Sequence, residues 1–309
     1  MTPPTPTAAV VIATRNRREE LWRAIDSALR QSARPRVVVI DDGSDDDYGD
    51  ELHRRFPAVR YERLPRYSGI MAARNRGVAL AEAPFVFSID DDAVFTSDDT
   101  IERTLPEFDD PRVGAVSMPY HDIVAGEPQP RVTPPPGPGR FVVEYFIGTS
   151  HALRRGLFLA LGGYREVLFT RCEERDYCVR MLDRGCVTVL GRTPPIEHRP
   201  SPRRPRELND RLQARNYAWY VVHNVPTRHA PLHLLGTLIN QTRQGWRYGY
   251  TLSALRGLAA AVVGIPGQLR HRRPVSPATY RLARRLQYHG PLPMDEVVAA
   301  LDQAGTTAR

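Results

Sequence analysis

The sequence predicts an α/β fold, a mostly parallel sheet flanked by helices, with a mainly helical C-terminal extension. Three observations predict it. Short apolar runs of strand length alternate with segments of helical period between residues 8 and 89, the pattern of a sheet with right-handed crossovers. Each run ends in a polar, mostly acidic turn. Beyond residue 206 the strands give way to long amphipathic stretches.

Residues 8–13 form the first apolar run and lead into Thr14-Arg15-Asn16-Arg17. A helix should follow, because Leu21, Ile25, Ala28 and Leu29 share one face. Residues 37–40 form the second run, ending in Asp41-Asp42-Gly43-Ser44, which taken alone has the composition of an ordinary turn. Residues 59–64 are a weaker strand, and 70–80 read as a helix carrying Arg74 and Asn75. Phe85-Val86-Phe87-Ser88-Ile89 then runs directly into Asp90-Asp91-Asp92. Three adjacent carboxylates repel one another unless they are solvated or neutralised. They read either as a solvated acidic turn or as oxygen ligands for a hard divalent cation such as Mg²⁺ or Mn²⁺. In open parallel sheets ligands bind beyond the carboxyl ends of the strands, and the turns at Thr14, Asp41 and Asp90 share that edge.

The second half is less regular. Residues 123–140 form a linker rich in Pro and Gly, including Gly126, Pro128, Pro130 and 134–139, serving as a lid or a spacer. Residues 141–147 restore order, and Gly162-Gly163 marks a tight bend. Cys172-Glu173-Glu174-Arg175-Asp176-Tyr177 opens a helix that passes Met181 and Leu182 and stops at Gly185; acids in a first turn are ordinary partners of the helix dipole. A strand at 187–190 leads to Glu197-His198-Arg199. Then Arg203, Arg204, Arg206, Arg211 and Arg215 precede Tyr217, Trp219 and Tyr220, and 232–268 reads as two helices broken by Arg243, Arg247 and Arg256.

Composition excludes several chemistries. All 43 basic Lys+Arg positions are Arg, so a P-loop, which needs its Lys on the phosphates, and Schiff-base catalysis are ruled out. The three cysteines, Cys172, Cys178 and Cys186, lack the number and spacing of a disulfide framework or zinc ribbon, which suits a reducing compartment. Residues 1–7 lack the basic and apolar regions of a signal peptide, so export is not expected. The apolar stretch 257–266 is about half of the 20 residues a membrane span requires. The net charge of +8 alone does not suggest a nucleic-acid partner, because no stacking or helix-turn-helix pattern accompanies it.

Taken in order, Val11-Ile12-Ala13-Thr14-Arg15-Asn16-Arg17, Val39-Ile40-Asp41-Asp42-Gly43-Ser44, Ala73-Arg74-Asn75-Arg76-Gly77, Ile89-Asp90-Asp91-Asp92, Gly162-Gly163-Tyr164, Glu173-Glu174-Arg175-Asp176-Tyr177 and His198 resemble the family 2 glycosyltransferases of the GT-A fold. The resemblance covers about residues 10–198. It implies a GT-A domain over 1–205, with a Rossmann-like nucleotide-sugar-binding half at 8–115 and an acceptor and catalytic half at 116–205, followed by the helical extension 206–309. It implies inverting transfer of a hexosyl or deoxyhexosyl group from a UDP- or dTDP-sugar to an acceptor hydroxyl. Asp92 is then the metal ligand, with Asp90 and Asp91 at the metal or ribose and His198 completing the metal shell. Asp42 meets the base, framed by Ala13 and Thr14, with Arg15 and Asp41 in the same donor set, and Arg74 meets the diphosphate as a bidentate partner. The general base falls on Glu174, where the family has Asp, with Asp176 as the fallback.

The expected acceptor is a glycan, a lipid-linked glycan or a natural product. The first two would suit the basic, amphipathic C-terminal part as a cytoplasmic enzyme peripheral to the inner face of a membrane. The competing readings are a nucleotidyltransferase, disfavoured by the absence of glycine in Thr14-Arg15-Asn16-Arg17, and a non-catalytic nucleotide-sugar-binding protein.

Overall fold

The computed structural model describes residues 6–124, 133–200 and 206–305. Gly126, Pro128 and Pro130 of the expected linker, Arg203, Arg204 and the division at residue 205 lie outside the described residues. Residues 134–139 carry no helix or strand, as the prolines dictate.

The first half follows the expected alternation: β1 (Ala8–Thr14), α1 (Arg18–Leu29), β2 (Arg36–Asp41), α2 (Gly49–Arg55), β3 (Arg60–Arg63), α3 (Ile70–Leu80) and β4 (Phe85–Asp90). Helix α2 lies in the acidic stretch after Ser44, where no apolar period marks it. Strands β3-β2-β1-β4 are all parallel. Alternation along β1 sends Val10 and Ile12 to one face, with Leu21, Trp22 and Ile25 of α1, and Ala9 and Val11 to the other, with Met71 and Ala73 of α3. Each such aliphatic side chain, fully buried, contributes about 1.5–3 kcal/mol.

The chain continues through β5 (Ala93–Phe95), α4 (Thr100–Thr104), β6 (Val113–Ser117), β7 (Tyr120–Asp122), β8 (Phe141–Val143), β9 (Ser150–Arg154), α5 (Arg155–Ala160), α6 (Glu173–Leu182), β10 (Val187–Leu190) and β11 (Ile196–His198). The sheet is mostly parallel, as expected, but two strands, β8 and β9, run against the others. The nine-stranded sheet runs β12-β8-β10-β6-β9-β4-β1-β2-β3, and β9 is antiparallel to both β4 and β6. The run at 141–147 is shorter than predicted, because the chain leaves β8 and turns at Gly148-Thr149 into β9. A separate three-stranded sheet, β5-β11-β7, stands beside the large one.

The C-terminal part consists of α7 (Arg206–Asn224), α8 (Ala230–Tyr248), α9 (Thr251–Gln268), α10 (Pro277–His289), β12 (Leu292–Pro293) and α11 (Met294–Gln303). It is mainly helical, as read, but β12 completes the edge of the large sheet by pairing with β8. The helical segment 251–271 is also longer than the apolar run 257–266 suggests, and by length and composition it could cross a membrane.

Three histidines take part in this core, His151 and His223 buried and His233 half-buried. His151 stacks on Phe146 with ring centroids 4.1 Å apart. Its Nδ1 faces the Ile147 carbonyl oxygen at 3.2 Å, which can only accept, so Nδ1 carries the proton and Nε2 accepts from the Tyr164 hydroxyl at 2.9 Å. Burial lowers His151 to about 3 and His223 and His233 each to about 4, with nearby arginines adding to the effect. An unfolded histidine titrates near about 6.5, so these neutral rings stabilise the fold above that pH and lose their contribution as pH falls toward 4. Buried acids with raised pKa, such as Asp91, act in the opposite direction, so the histidine effect is read as a difference. His223→Gln should reduce the loss of stability between pH 7 and pH 5 by about 2 kcal/mol relative to the parent in denaturant titrations; identical pH dependences would refute this.

Candidate active site

Register brings the three strand ends together. Thr14 lies opposite Asp41 in β2, and Ala13 lies opposite Asp90 in β4, so the turns after β1, β2 and β4 open at one edge. They form the floor of a cleft of about 620 Å³ lined by Ala13, Thr14, Arg15, Asp42, Asp90 and Asp91 from these turns. Glu174 and His198 reach the same cleft from α6 and β11.

Each acid of the triplet has its own partner. Asp90 accepts from Arg74 Nη2 at 2.6 Å and from Thr149 Oγ1 at 2.9 Å. Asp91, buried, accepts from Thr14 Oγ1 at 2.8 Å and from Arg17 Nη1 at 2.8 Å. Burial raises the Asp91 carboxyl to about 6; Arg17 opposes the rise while Asp92 and Asp90 add to it. Asp92 meets Arg17 Nη1 at 3.3 Å and lies 3.3 Å from His198 Nε2. The small sheet explains the last contact. His198 is in register with Ala93, the residue after Asp92, and on its other side with Asp122, whose Oδ2 is 3.2 Å from His198 Nδ1. A carboxylate on one ring nitrogen orients the other, the usual support for a metal-binding imidazole.

Asp90, Asp92 and His198 each offer a ligand atom, all within 4.8 Å of one another. Two carboxylates with one imidazole form a donor set of hard oxygen and nitrogen that suits Mn²⁺ or Mg²⁺, and Asp122 already holds the ring. The residues therefore fit a divalent ion.

Other expected residues take different positions. Asp42 lines the cleft, but its carboxylate accepts from the backbone of Ser68 at 2.7 Å and Gly69 at 2.9 Å, fixing the turn before α3. Asp41 is buried behind it, accepting from Ser44 Oγ at 2.7 Å and Tyr61 Oη at 3.1 Å, so it supports the turn and does not line the cleft. The Arg15 guanidinium lies over the Tyr67 ring at 3.9 Å, forming a flat wall beside Asp42.

Arg74 lines the cleft, as expected, and is also tied into the protein. Its side chain is 5% exposed, and besides Asp90 it donates to Glu173 Oε1 at 3.0 Å and the Gly148 carbonyl at 2.9 Å. A guanidinium committed to protein acceptors on several sides is a structural bridge before it is a diphosphate ligand. Asn75 beside it holds the glycine pair: its Oδ1 accepts from Tyr164 N and its Nδ2 donates to the Tyr164 carbonyl, both at 2.9 Å.

The two base candidates separate. Glu174 lines the cleft and its Oε1 accepts from Gly148 N at 3.1 Å. Asp176, one helical step away, points into the protein: it is fully buried, paired with Arg165, with Arg180 at 3.0 Å and with Asn224 Nδ2 at 2.7 Å. Helical geometry turns residues two apart to different faces, so the fallback base is withdrawn. Glu173 was missed by sequence reasoning. It lines the cleft, and burial, then the neighbouring Glu174 carboxylate, push its pKa up while Arg74 opposes them. Arg17, Asp122, Gly148 and Thr149 were also missed as site residues; of these only Arg17 stood inside a quoted motif.

Residues 9–160 match the family model described as Glycosyl transferase family 2. The chain carries a family 2 glycosyltransferase domain. ExoU, a succinoglycan biosynthesis protein of Rhizobium meliloti (strain 1021), is 35% identical over 102 residues, which cover 31% of this chain and 29% of ExoU. The crystal structure of S. aureus TarS 1-349 in complex with UDP-GlcNAc superposes with a TM-score of 0.62 at 14% identity, over 98% of this chain and 93% of that one. GalNAc-T7 with UDP, GalNAc and Mn²⁺ gives a TM-score of 0.59 at 15% identity, over 73% of this chain and about half, 49%, of that one. These likenesses identify the architecture of this glycosyltransferase domain as GT-A.

Two substitutions separate the roles described. A methyl group on Gly148 would lie 2.7 Å from Glu174 Oε1 and 3.1 Å from Arg74 Nη1, both held by hydrogen bonds. Gly148→Ala should therefore lower turnover about tenfold or more, with a melting temperature within a few degrees of the parent; unchanged kcat would count against this placement of Glu174. Asp176→Asn should cost about 3–5 kcal/mol of stability by leaving Arg165 and Arg180 without their carboxylate, while the folded fraction retains its turnover. A stable variant without activity would restore Asp176 as a base.

Proposed function

We propose that this protein transfers a hexosyl or deoxyhexosyl group from a nucleotide-diphosphate sugar to an acceptor hydroxyl, with inversion at the anomeric carbon and dependence on Mn²⁺ or Mg²⁺. The single observation that carries this reading is the meeting of Asp90 and His198 with Glu174 around one cleft, with Asp92 buried directly behind them against His198. UDP-sugars are the first donors to test, since TarS is described with UDP-GlcNAc and GalNAc-T7 with UDP and Mn²⁺; dTDP-sugars follow. The acceptor is taken to be a glycan, a lipid-linked glycan or a natural product. The name of ExoU, a succinoglycan biosynthesis protein, favours a polysaccharide among these. Three buried cysteines, none bridged, suit a cytoplasmic enzyme.

Asp90, Asp92 and His198 would hold the ion, which when bound offsets charge on the leaving diphosphate. Asp42, Arg15 and Tyr67 form the wall available to the nucleoside. Glu174 accepts the proton of the attacking hydroxyl, an alcohol far too weak an acid to ionise alone at neutral pH. Its competitors among the described lining carboxylates are committed: Glu173 to Arg74, Asp42 to the turn before α3, Asp122 to His198, Asp91 to Thr14 and Arg17. With one base and no second carboxylate placed as a nucleophile among the described residues, direct displacement inverts the sugar.

Incubation with a panel of UDP- and dTDP-sugars and Mn²⁺ should release nucleoside diphosphate, whereas silence across the panel would argue against transfer. Glu174→Gln should retain donor binding in calorimetry and lose about 10²–10⁴ in turnover. Asp92→Ala should lose the metal-dependent part of donor binding. Full turnover in the first variant removes Glu174 as base, and metal-independent binding by the parent removes the ion from the reaction.

A further inference from the structure

The C-terminal helices leave a second feature that the cleft does not use. Between Asp210 and Asp295 the sequence has twelve arginines and no acidic residue at all. All 35 acidic residues lie elsewhere, with the other 31 arginines, so a chain of net charge +8 is net acidic outside this segment. Such segregation is far from a mixed, solvated surface.

Helices α8 and α9 sit at the centre of this segment, and each presents an apolar stripe to the outside. On α8, Leu232, Leu235, Ile239 and Trp246 recur at helical spacing and are exposed, Leu232 by 77% and Trp246 by 80%. On α9, Leu252, Leu255, Val262 and Val263 do the same, with Leu269 in the turn that continues it and Val263 82% exposed. Exposed arginines border the stripes: Arg243 and Arg247 on α8, Arg256 on α9 and Arg270 in the turn just after it. Large aliphatic and indole side chains rimmed by cations, with no carboxylate on either helix, match the composition of helices that lie in a membrane interface.

Helix α9 is fixed to the domain and is not positioned to span. Its opposite face packs on α7 so closely that a methyl group on Gly257 would lie 2.1 Å from the Arg211 carbonyl oxygen. Trp219 Nε1 donates to the Ala261 carbonyl at 3.1 Å, and His223 Nε2 lies 3.0 Å from Gln268 Oε1. Crossing a bilayer would strip these contacts and bury Arg256. Lying along its surface keeps them.

We propose that α8 and α9 form a docking surface for an anionic lipid bilayer. The exposed Leu, Val and Trp side chains insert among the acyl chains near the headgroups, and Arg243, Arg247, Arg256 and Arg270 meet lipid phosphates. The surface adjoins the cleft: Asn209 on α7 lines it, and Glu207, two residues earlier, is ion-paired with Arg256 at 3.1 Å. This suits an acceptor carried on lipid, a consequence that rests on the transferase reading, whereas lipid binding itself does not.

Sedimentation of the full chain with phosphatidylcholine vesicles, with and without phosphatidylglycerol, tests the proposal. The expected result is at least tenfold stronger binding to vesicles containing phosphatidylglycerol, weakening as salt rises. Trp246 provides a second reading, because Trp22 and Trp219 are buried: brominated lipid should quench the fluorescence of the parent and not that of Trp246→Phe. The triple change Leu235→Ser, Trp246→Ser, Val263→Ser should lose binding about tenfold or more while nucleotide release from a soluble donor is unchanged. Equal sedimentation with and without vesicles, or absence of quenching, overturns the proposal. So does a concentration-dependent dimer without lipid binding, which would make this face a contact between copies. Failure of donor turnover with lipid binding intact would overturn the transferase reading alone.

Discussion

The site is organised around one buried cation. Arg74, on α3, joins Asp90 at the end of β4, the Gly148 carbonyl in the turn before β9 and Glu173 at the start of α6. Burying a guanidinium costs several kcal/mol, which is recovered only when good acceptors surround it, and here two carboxylates and a carbonyl do. The same turn donates Gly148 N–H to Glu174, so Asp90 and Glu174 are located by one charge-assisted cluster. The distance between β4 and α6 is therefore set by a rigid, planar group carried on the helix just before β4.

A second constraint follows from packing three carboxylates at one strand end. Left to themselves they would not all ionise in a buried position. The fold assigns each a different counterpart: Asp90 takes Arg74 and Thr149, Asp91 takes Thr14 and Arg17, and Asp92 faces Arg17 and His198. The division turns a repulsive run into a graded one. Asp91 serves as the buried support whose pKa rises to about 6, while Asp90 and Asp92 converge with His198.

Charge is organised on a larger scale as well. The acids concentrate in the part of the chain up to Asp210, whereas the helical part between Asp210 and Asp295 carries only arginine as fixed charge. Yet the two parts are not independent bodies in the fold. Strand β12 completes the large sheet, and Asp176 with Arg165 and Asn224 fastens α6 to α7. The helical part thus buttresses α6 while keeping an outer face of different chemistry.

Much of this was legible in the chain itself. Apolar runs at β1, β2 and β4 are buried on both faces, so they read as continuous hydrophobic strands, and their polar ends marked the cleft edge before any coordinates. The acids Asp90, Asp91 and Asp92, the cleft residues Thr14, Asp42 and Glu174, and His198 were found because local composition and motif order carry them. What the sequence could not decide was direction and partnership. Whether β9 runs parallel or antiparallel depends on a two-residue turn at Gly148-Thr149, and β8 and β9 are too short to signal their pairing. Whether Asp176 or Glu174 faces the cleft depends on the rotation of α6, which contacts across the fold fix through Arg165, Arg180 and Asn224. Asp122 and Gly148 carry no local signature, since their roles arise from residues 76 and 26 positions away. Sequence by itself determined which chemistry is present, because residue type and period are local properties. Tertiary structure alone decided which groups meet, because burial and long-range pairing set the direction of every side chain in the cleft.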